Sequence, residues 1–337
     1  MFAAQSPAAA LGVYHLPAGA ADARVGTVAA GREALLTAAR TVAREAPAAI
    51  GRYWVNDAVV GNFIRVGRPG DRYEILEKTS IPDWTASAAK ARSLQFMQKL
   101  GVQLASAADR APWRRAGSPT TWNVDPEITV ADPQGGDMGF DGDLTARAGK
   151  LIDFGLETSS NNRNFAFGSA MLSIRQLQAL PADPARLKKL ILRGAGNLGE
   201  GGADSYLFQD TPSLLTLTVT PAVRAALYRM LAGLPGVRRL GQVRDVAGQR
   251  GIAVALTDRF SPCGYHGADG GDTEGWNFRS CVVQQRLVIN PNTGLPLAQE
   301  LRYVGLPKGQ RWMTPDGLFS YQLFGANHWT NATPPKF

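Results

Sequence analysis

Alternating and helical spacings of apolar residues trade places along this chain, and residues 284–305 organise the rest. Two alternating runs there flank Asn290-Pro291-Asn292-Thr293-Gly294. Pro291 presets its φ for a turn and Gly294 accepts a positive φ without a Cβ clash, so the runs fold back as a hairpin. On the outgoing strand Leu295, Leu297, Leu301 and Tyr303 share one face, and Glu300 and Arg302 the other. One face is expected in the core and the other in water.

The same reading runs along the chain. Residues 27–46 place Leu35, Leu36, Ala39 and Val42 on one helical stripe that Pro47 closes. Residues 52–60, 62–66 and 72–79 alternate as an antiparallel meander. A helix is expected over 87–100, where Leu94, Met97 and Leu100 share a face, and a short helix or turn over 105–116. Residues 117–150 are rich in Pro and Gly and read as a long inserted loop. Asp183 as N-cap and Pro184 at the first position open a helix carrying Leu187, Leu190 and Ile191. Residues 204–217 are expected to be helical. Thr220 and Pro221 open a further helix striped by Val223, Leu227, Met230, Leu231 and Leu234, which Pro235-Gly236 stops. Such a stripe is core or the lining of a ligand cleft. Strands over 237–245 and 251–257 form a hairpin, and 317–324 is a last strand.

Composition narrows the function classes. With 337 residues and 45% hydrophobic content the chain is globular. The expected division is a flexible leader over 1–26 and one domain over 27–330. The net charge of +8 is spread along the sequence, without the basic stripe and reading groups of a nucleic-acid binder. No window approaches the roughly 20 apolar residues of a membrane span. The opening reads as a boundary beyond which an export segment is missing. The two cysteines, Cys263 and Cys281, bracket a Gly-rich loop. A disulfide in an oxidising compartment is the preferred reading, against two reduced and partly buried thiols.

Specific chemistry is sparse. Gly194-Ala-Gly196-Asn-Leu-Gly199 matches the dinucleotide fingerprint, but a helix precedes it and no acid lies between Asp210 and Asp245, so a loop is expected. Asp141-Gly142-Asp143 lacks the rest of a calcium loop. Cys263, His266 and Cys281, with Asp269, Asp272 and Glu274, fall short of four spaced zinc ligands, and no metal or cofactor is expected. Phe167-Gly168-Ser169-Ala170 is no nucleophile elbow. Tyr53, Trp54, Trp84, Trp113 and Trp122 either cap the core or line a concave apolar cleft.

The turn at 290–294 followed by Leu295-Pro296-Leu297 resembles the late hairpin of periplasmic lipoprotein-carrier domains. Tyr53-Trp54, Leu180-Pro-Ala-Asp-Pro, Arg224-Ala-Ala-Leu-Tyr-Arg, Leu234-Pro-Gly, Gly241-Gln-Val-Arg-Asp and Gly251-Ile-Ala-Val, in this order, resemble an actinobacterial family. Its members are membrane-anchored, are often encoded beside extracytoplasmic-function sigma factors, and bring no established catalytic residues. The resemblance implies an α+β fold in which one strongly curved antiparallel sheet, an unclosed half-barrel, wraps around helices. It implies a non-enzymatic, extracytoplasmic, membrane-tethered monomer that binds or senses a lipid, lipoprotein or other amphipathic ligand. Tyr53, Trp54, Trp84, Leu227, Met230 and Leu231 are its candidate cleft residues. The alternatives are a protein-interaction regulator of a membrane or sigma-factor system without a small ligand, and an unrecognised hydrolase.

Overall fold

The computed structural model describes residues 11, 13–14, 26–68, 71–88, 91–123, 129–131, 137–138, 143–153, 164–193, 195, 198, 201–260, 263–266, 277–278, 281–306 and 317–335. Among them, nine strands form one large antiparallel sheet: β1 (Tyr53–Val66), β2 (Tyr73–Ala86), β3 (Leu94–Leu104), β4 (Ile152–Asp153), β5 (Arg238–Arg244), β6 (Arg250–Phe260), β7 (Cys281–Ile289), β8 (Pro296–Gly305) and β9 (Leu318–Thr330). Their order across the sheet is β5-β6-β7-β8-β9-β1-β2-β3-β4, so the last long strand seats the first and the sheet stays unclosed. Six helices accompany it: α1 (Val28–Val42), α2 (Arg110–Arg115), α3 (Ile174–Gln178), α4 (Pro184–Leu192), α5 (Gly202–Leu215) and α6 (Pro221–Ala232). The fold is α+β.

The helices start where local chemistry starts them. Thr27, Asp183 and Thr220 accept hydrogen bonds from the backbone N–H groups of Ala30, Arg186 and Val223, satisfying donors that a helix leaves open at its first turn. Leu35 and Val42 of α1, Leu187 and Ile191 of α4, Leu207 and Leu214 of α5, and Leu227 and Leu231 of α6 then share one core with Val254, Leu256, Leu287 and Ile289 of the sheet. Hydrophobic burial here fixes which sheet face the helices cover.

The organising hairpin forms as its sequence dictates. Asn290 Oδ1 accepts from the N–H of Asn292 at 2.9 Å, and Gly294 takes φ 72°. The turn is also anchored from outside, because the Tyr228 hydroxyl of α6 donates to the Gly294 carbonyl at 2.5 Å within the core. Tyr228→Phe is expected to lower the unfolding free energy by about 1–2 kcal/mol, read from urea melts. A change under about 0.3 kcal/mol would show that the bond adds nothing beyond packing.

Three expectations are corrected. The runs over 52–60 and 62–66 are one strand, β1, with a bulge between Asn56 and Ala58 against β9. The expected helix over 87–100 is instead β3, in which Leu94 and Phe96 fall on strand spacing. Gly101, at φ 86°, then resets the alternation. Leu94, Met97 and Leu100 matched a helical period because that bulged strand slips phase; tertiary pairing with β2 decides. Glu300 and Arg302, expected in water, are 2% and 0% exposed and pair with each other at 2.6 Å.

Other elements extend or confirm the reading. The strand expected over 317–324 continues to Thr330. Within 117–150, Thr121–Asn123 pairs with Asp143–Thr145, and Trp122 is buried with its Nε1 donating to the Tyr73 hydroxyl at 2.8 Å. Leu11, Val13 and Tyr14 of the expected leader lie against the domain, with the Tyr14 N–H donating to the Leu104 carbonyl at 2.8 Å. Among the described residues no helix is long and apolar enough to cross a membrane.

Candidate functional site

Between the helix-covered side of the sheet and the end of α5 lies a cavity of about 390 Å3, a volume within the range of small-molecule sites. Its floor is Trp54 and Asn56 of β1, Asp83 and Thr85 of β2, Leu94 and Gln95 of β3, and Gln322 of β9. Register builds this floor. Trp54 stands opposite Thr85, Asn56 opposite Asp83, and Asp83 opposite Gln95, and every second residue of a strand faces the same way. One wall is Asp210, Ser213 and Leu214 of α5 with Thr216 and Leu217 beyond it. The other is the tight hairpin of Asn164–Phe167 with Ala170–Ser173, which contributes Phe165, Ala166, Gly168 and Met171.

The cavity is apolar along its sides and anionic at two points. Burial raises the Asp83 carboxyl to about 6; a hydrogen bond from Gln95 opposes the rise and the nearby Asp57 adds to it. Burial alone raises Asp210 to about 6. Asp83 Oδ1, Asp210 Oδ2, Asn56 Oδ1 and Trp54 Nε1 are buried and have no hydrogen-bond partner among the described residues. No Lys, Arg or His is among the described residues that line it. Buried polar atoms are normally partnered, and these four gather around one cavity.

A second groove, of about 400 Å3, runs between α1 and the 290–294 turn. Its one lining acid, Glu33, is exposed and paired with Arg40 at 2.6 Å, and none of its lining residues holds a buried orphan polar atom. The first cavity is therefore the candidate site.

Its carboxyls carry a stability signature. Asp83 and Asp210 titrate higher in the folded chain than at their ordinary 3.8, so between about pH 4 and 6 the native state binds more protons than the unfolded one. Stability rises as pH falls through that window and is reduced by the full cost of both charges above it. Asp210→Asn is expected to stabilise the protein at pH 7 by roughly 1–2 kcal/mol, the partial exposure of the group having been discounted, and to approach the parent near pH 4. Melting curves at the two pH values check this; equal effects at both would contradict it.

The structure brings only part of the expected cleft together. Trp54 lines the cavity, with Trp329 packed edge-on at 5.4 Å. Tyr53 and Trp84 instead meet each other at 5.9 Å, on the sheet face that alternation turns away from Trp54. Leu227, Met230 and Leu231 are 0%, 4% and 0% exposed and belong to the packed helical core rather than to this cavity. Cys281 is buried and is not a free thiol. The side chains of Cys263 and His266, together with Asp269, Asp272, Glu274, Asp141 and most of 194–199, lie outside the described residues.

Asp83, Asp210 and Phe165 escaped sequence reasoning, although one signal was available. Leu207, Asp210, Thr211 and Leu214 share a helical face, so the spacing alone puts a carboxyl on the buried stripe of α5. No protein-family model, curated protein or solved structure matches the chain.

Proposed function

We propose that this chain is a non-enzymatic, extracytoplasmic binding or sensing domain that holds an amphipathic small molecule between its sheet and α5. The carrying observation is the cavity itself. Trp54, Phe165, Met171, Leu94 and Leu217 offer apolar surface, and orphan acceptors on Asn56, Asp83 and Asp210 await a polar end. A few placed polar groups in an apolar cleft are what orient a ligand.

The sequence resemblance supports further parts of this reading. The sheet is a lipoprotein-carrier-like half-barrel, curved where bulges bend it at Asn56/Ala58 and Glu77/Thr79. The domain is a monomer tethered to a membrane and its ligand comes from lipid or lipoprotein. The disulfide between Cys263 and Cys281 is a separate part of the proposal, supported by their position at the two ends of one Gly-rich loop. Alkylation before and after reduction tests the last point: blocked thiols before and two labelled thiols after are expected, and labelling without reduction would refute the bridge.

Binding is tested with the fluorescent amphiphile N-phenyl-1-naphthylamine. Saturable one-to-one enhancement is expected, weakened about tenfold or more by Ser213→Phe, which fills the cavity from α5. Absence of saturable enhancement, or indifference to Ser213→Phe, would remove the reading.

One observation favours a second reading. Two carboxyls raised to about 6 in one cleft also suit general acid–base hydrolysis. Turnover of an ester or glycoside that is lost in Asp83→Asn would move the assignment to a hydrolase.

A further inference from the structure

At its β5 edge the sheet sets three arginines on the face that the helices cover. Arg239 stands opposite Val254, a member of the helix-side core, and Arg244 stands directly opposite Arg250. On β6, Arg250, Ile252 and Val254 therefore face the same way. Like charges directly opposite one another destabilise a strand pair. Among the described residues no carboxylate pairs with Arg239, Arg244 or Arg250. The acids nearby are engaged elsewhere: Glu33 is held by Arg40, and Asp245 Oδ1 accepts from the N–H groups of Ala247 and Gln249. Arg244 Nη1 donates to the Gly248 carbonyl at 2.7 Å, which fixes that guanidinium in place while the fork keeps further donors.

The shape of the surface is a second, independent observation. The groove of about 400 Å3 between α1 and the 290–294 turn is lined on its apolar side by Ala34, Ala38, Ile252, Ile289 and Pro291. It continues into a pocket of about 490 Å3, which shares Ile252, Asn290 and Pro291 with it and is lined by Gln242, Arg244 and Arg250. An apolar trough thus leads to two facing guanidiniums, and a carboxylate or phosphate is the group such forks receive. The trough's own hydroxyls are already used. Thr37 Oγ1 accepts from Arg40 at 2.8 Å, and Thr41 Oγ1 donates to the Thr37 carbonyl at 3.1 Å. A peptide laid there would bury amides without partners, a cost that an alkyl chain does not carry.

We infer that this trough is a second binding site, which takes a single-chain anionic amphiphile, an alkyl carboxylate or alkyl phosphate. Its chain lies over Ile252 and Ile289, and its head meets Arg244 and Arg250. The two sites differ in charge, with Asp83 and Asp210 lining the first and Arg244 and Arg250 the second. Glu33, Thr37, Pro291 and Arg250 at the rim of the trough are exposed, so its occupant exchanges with free amphiphile and is not retained through isolation. The inference goes beyond the reading of the first cavity, which the N-phenyl-1-naphthylamine titration tests separately.

The test is calorimetric titration of the full chain at neutral pH and low ionic strength with decanoate, 1-decanol and decylammonium, which share one alkyl chain and differ in the charge of the polar end. Parent and Ser213→Phe chains are both titrated, because the latter fills the first cavity. In both, decanoate is expected to bind about tenfold or more tightly than decanol. Arg250→Gln, at an exposed position, is expected to remove most of that advantage while leaving decanol unchanged, and Ala34→Phe, which fills the trough from α1, to weaken decanoate about tenfold. Decanol or decylammonium binding as tightly as decanoate would overturn the assignment. Decanoate binding that is lost in Ser213→Phe, or indifferent to Arg250→Gln or Ala34→Phe, would overturn it too, because the trough would not be its source. Absence of saturable decanoate binding would remove the site, and sedimentation with phosphatidylglycerol vesicles in that case would replace it by a membrane contact. Thermal melts verify that the variants remain folded.

Discussion

Glu300→Gln is expected to lower the unfolding free energy by about 3–5 kcal/mol, the scale of a broken buried ion pair. Glu300 is 2% exposed and sits 2.6 Å from the guanidinium of Arg302, which is fully buried. Arg286, 9% exposed, faces the same carboxylate. Burial and, after it, the charge of Arg302 lower Arg286 to about 10, with Glu300 opposing them. One anion therefore serves two cations, and the three positions are not equivalent. Removing Glu300 strips both arginines of it, whereas Arg302→Met leaves Glu300 beside Arg286 and should cost less. Replacing Arg286, Glu300 and Arg302 together by apolar residues of similar volume should recover much of the loss. Urea unfolding of the three variants measures the order. An Arg302→Met loss larger than that of Glu300→Gln would show that the carboxylate is not the hub.

Leu227→Ala is expected to cost about 2–5 kcal/mol, the range for deleting a buried leucine and leaving part of the space empty. Leu227 is fully buried in the core that α6 shares with α1, α4 and α5. The same variant separates core from cleft. A core residue shifts the denaturation midpoint and leaves amphiphile affinity at temperatures where the chain is folded within about twofold of the parent. A cleft residue would show the reverse pattern, and that outcome would restore the apolar stripe of α6 as ligand-lining surface.

Much of the fold was legible because it is written locally. The Asn290 to Gly294 turn and the caps at Thr27, Asp183 and Thr220 are fixed by the residues that make them, and they form as their chemistry requires. Errors arose where distant chain decides. Leu94, Met97 and Leu100 carry a helical spacing, yet pairing with β2 makes them strand. Glu300 and Arg302 carry the polar half of a clean alternation, yet both are buried because they find each other and Arg286. Polarity in a strand announces water only when no partner waits across the sheet.

Of the six residues expected in a cleft, Trp54 alone lines the candidate cavity. Trp54 lines the cavity, but its neighbours Tyr53 and Trp84 fall on the other face. Asp83 and Asp210 become neighbours of one space only after β2 pairs with β1 and α5 packs over the sheet. No local pattern links them. Net composition pointed away from an anionic cavity, since the chain as a whole is cationic.

Native mass spectrometry of the protein isolated from its native cells, with solvent extraction of bound material, tests the central claim most directly. The account expects one discrete amphiphile per chain, whose retention is lost in Ser213→Phe. A chain that arrives without ligand, and stays so after exposure to a total lipid extract, would contradict it and move the assignment to a protein-interaction domain.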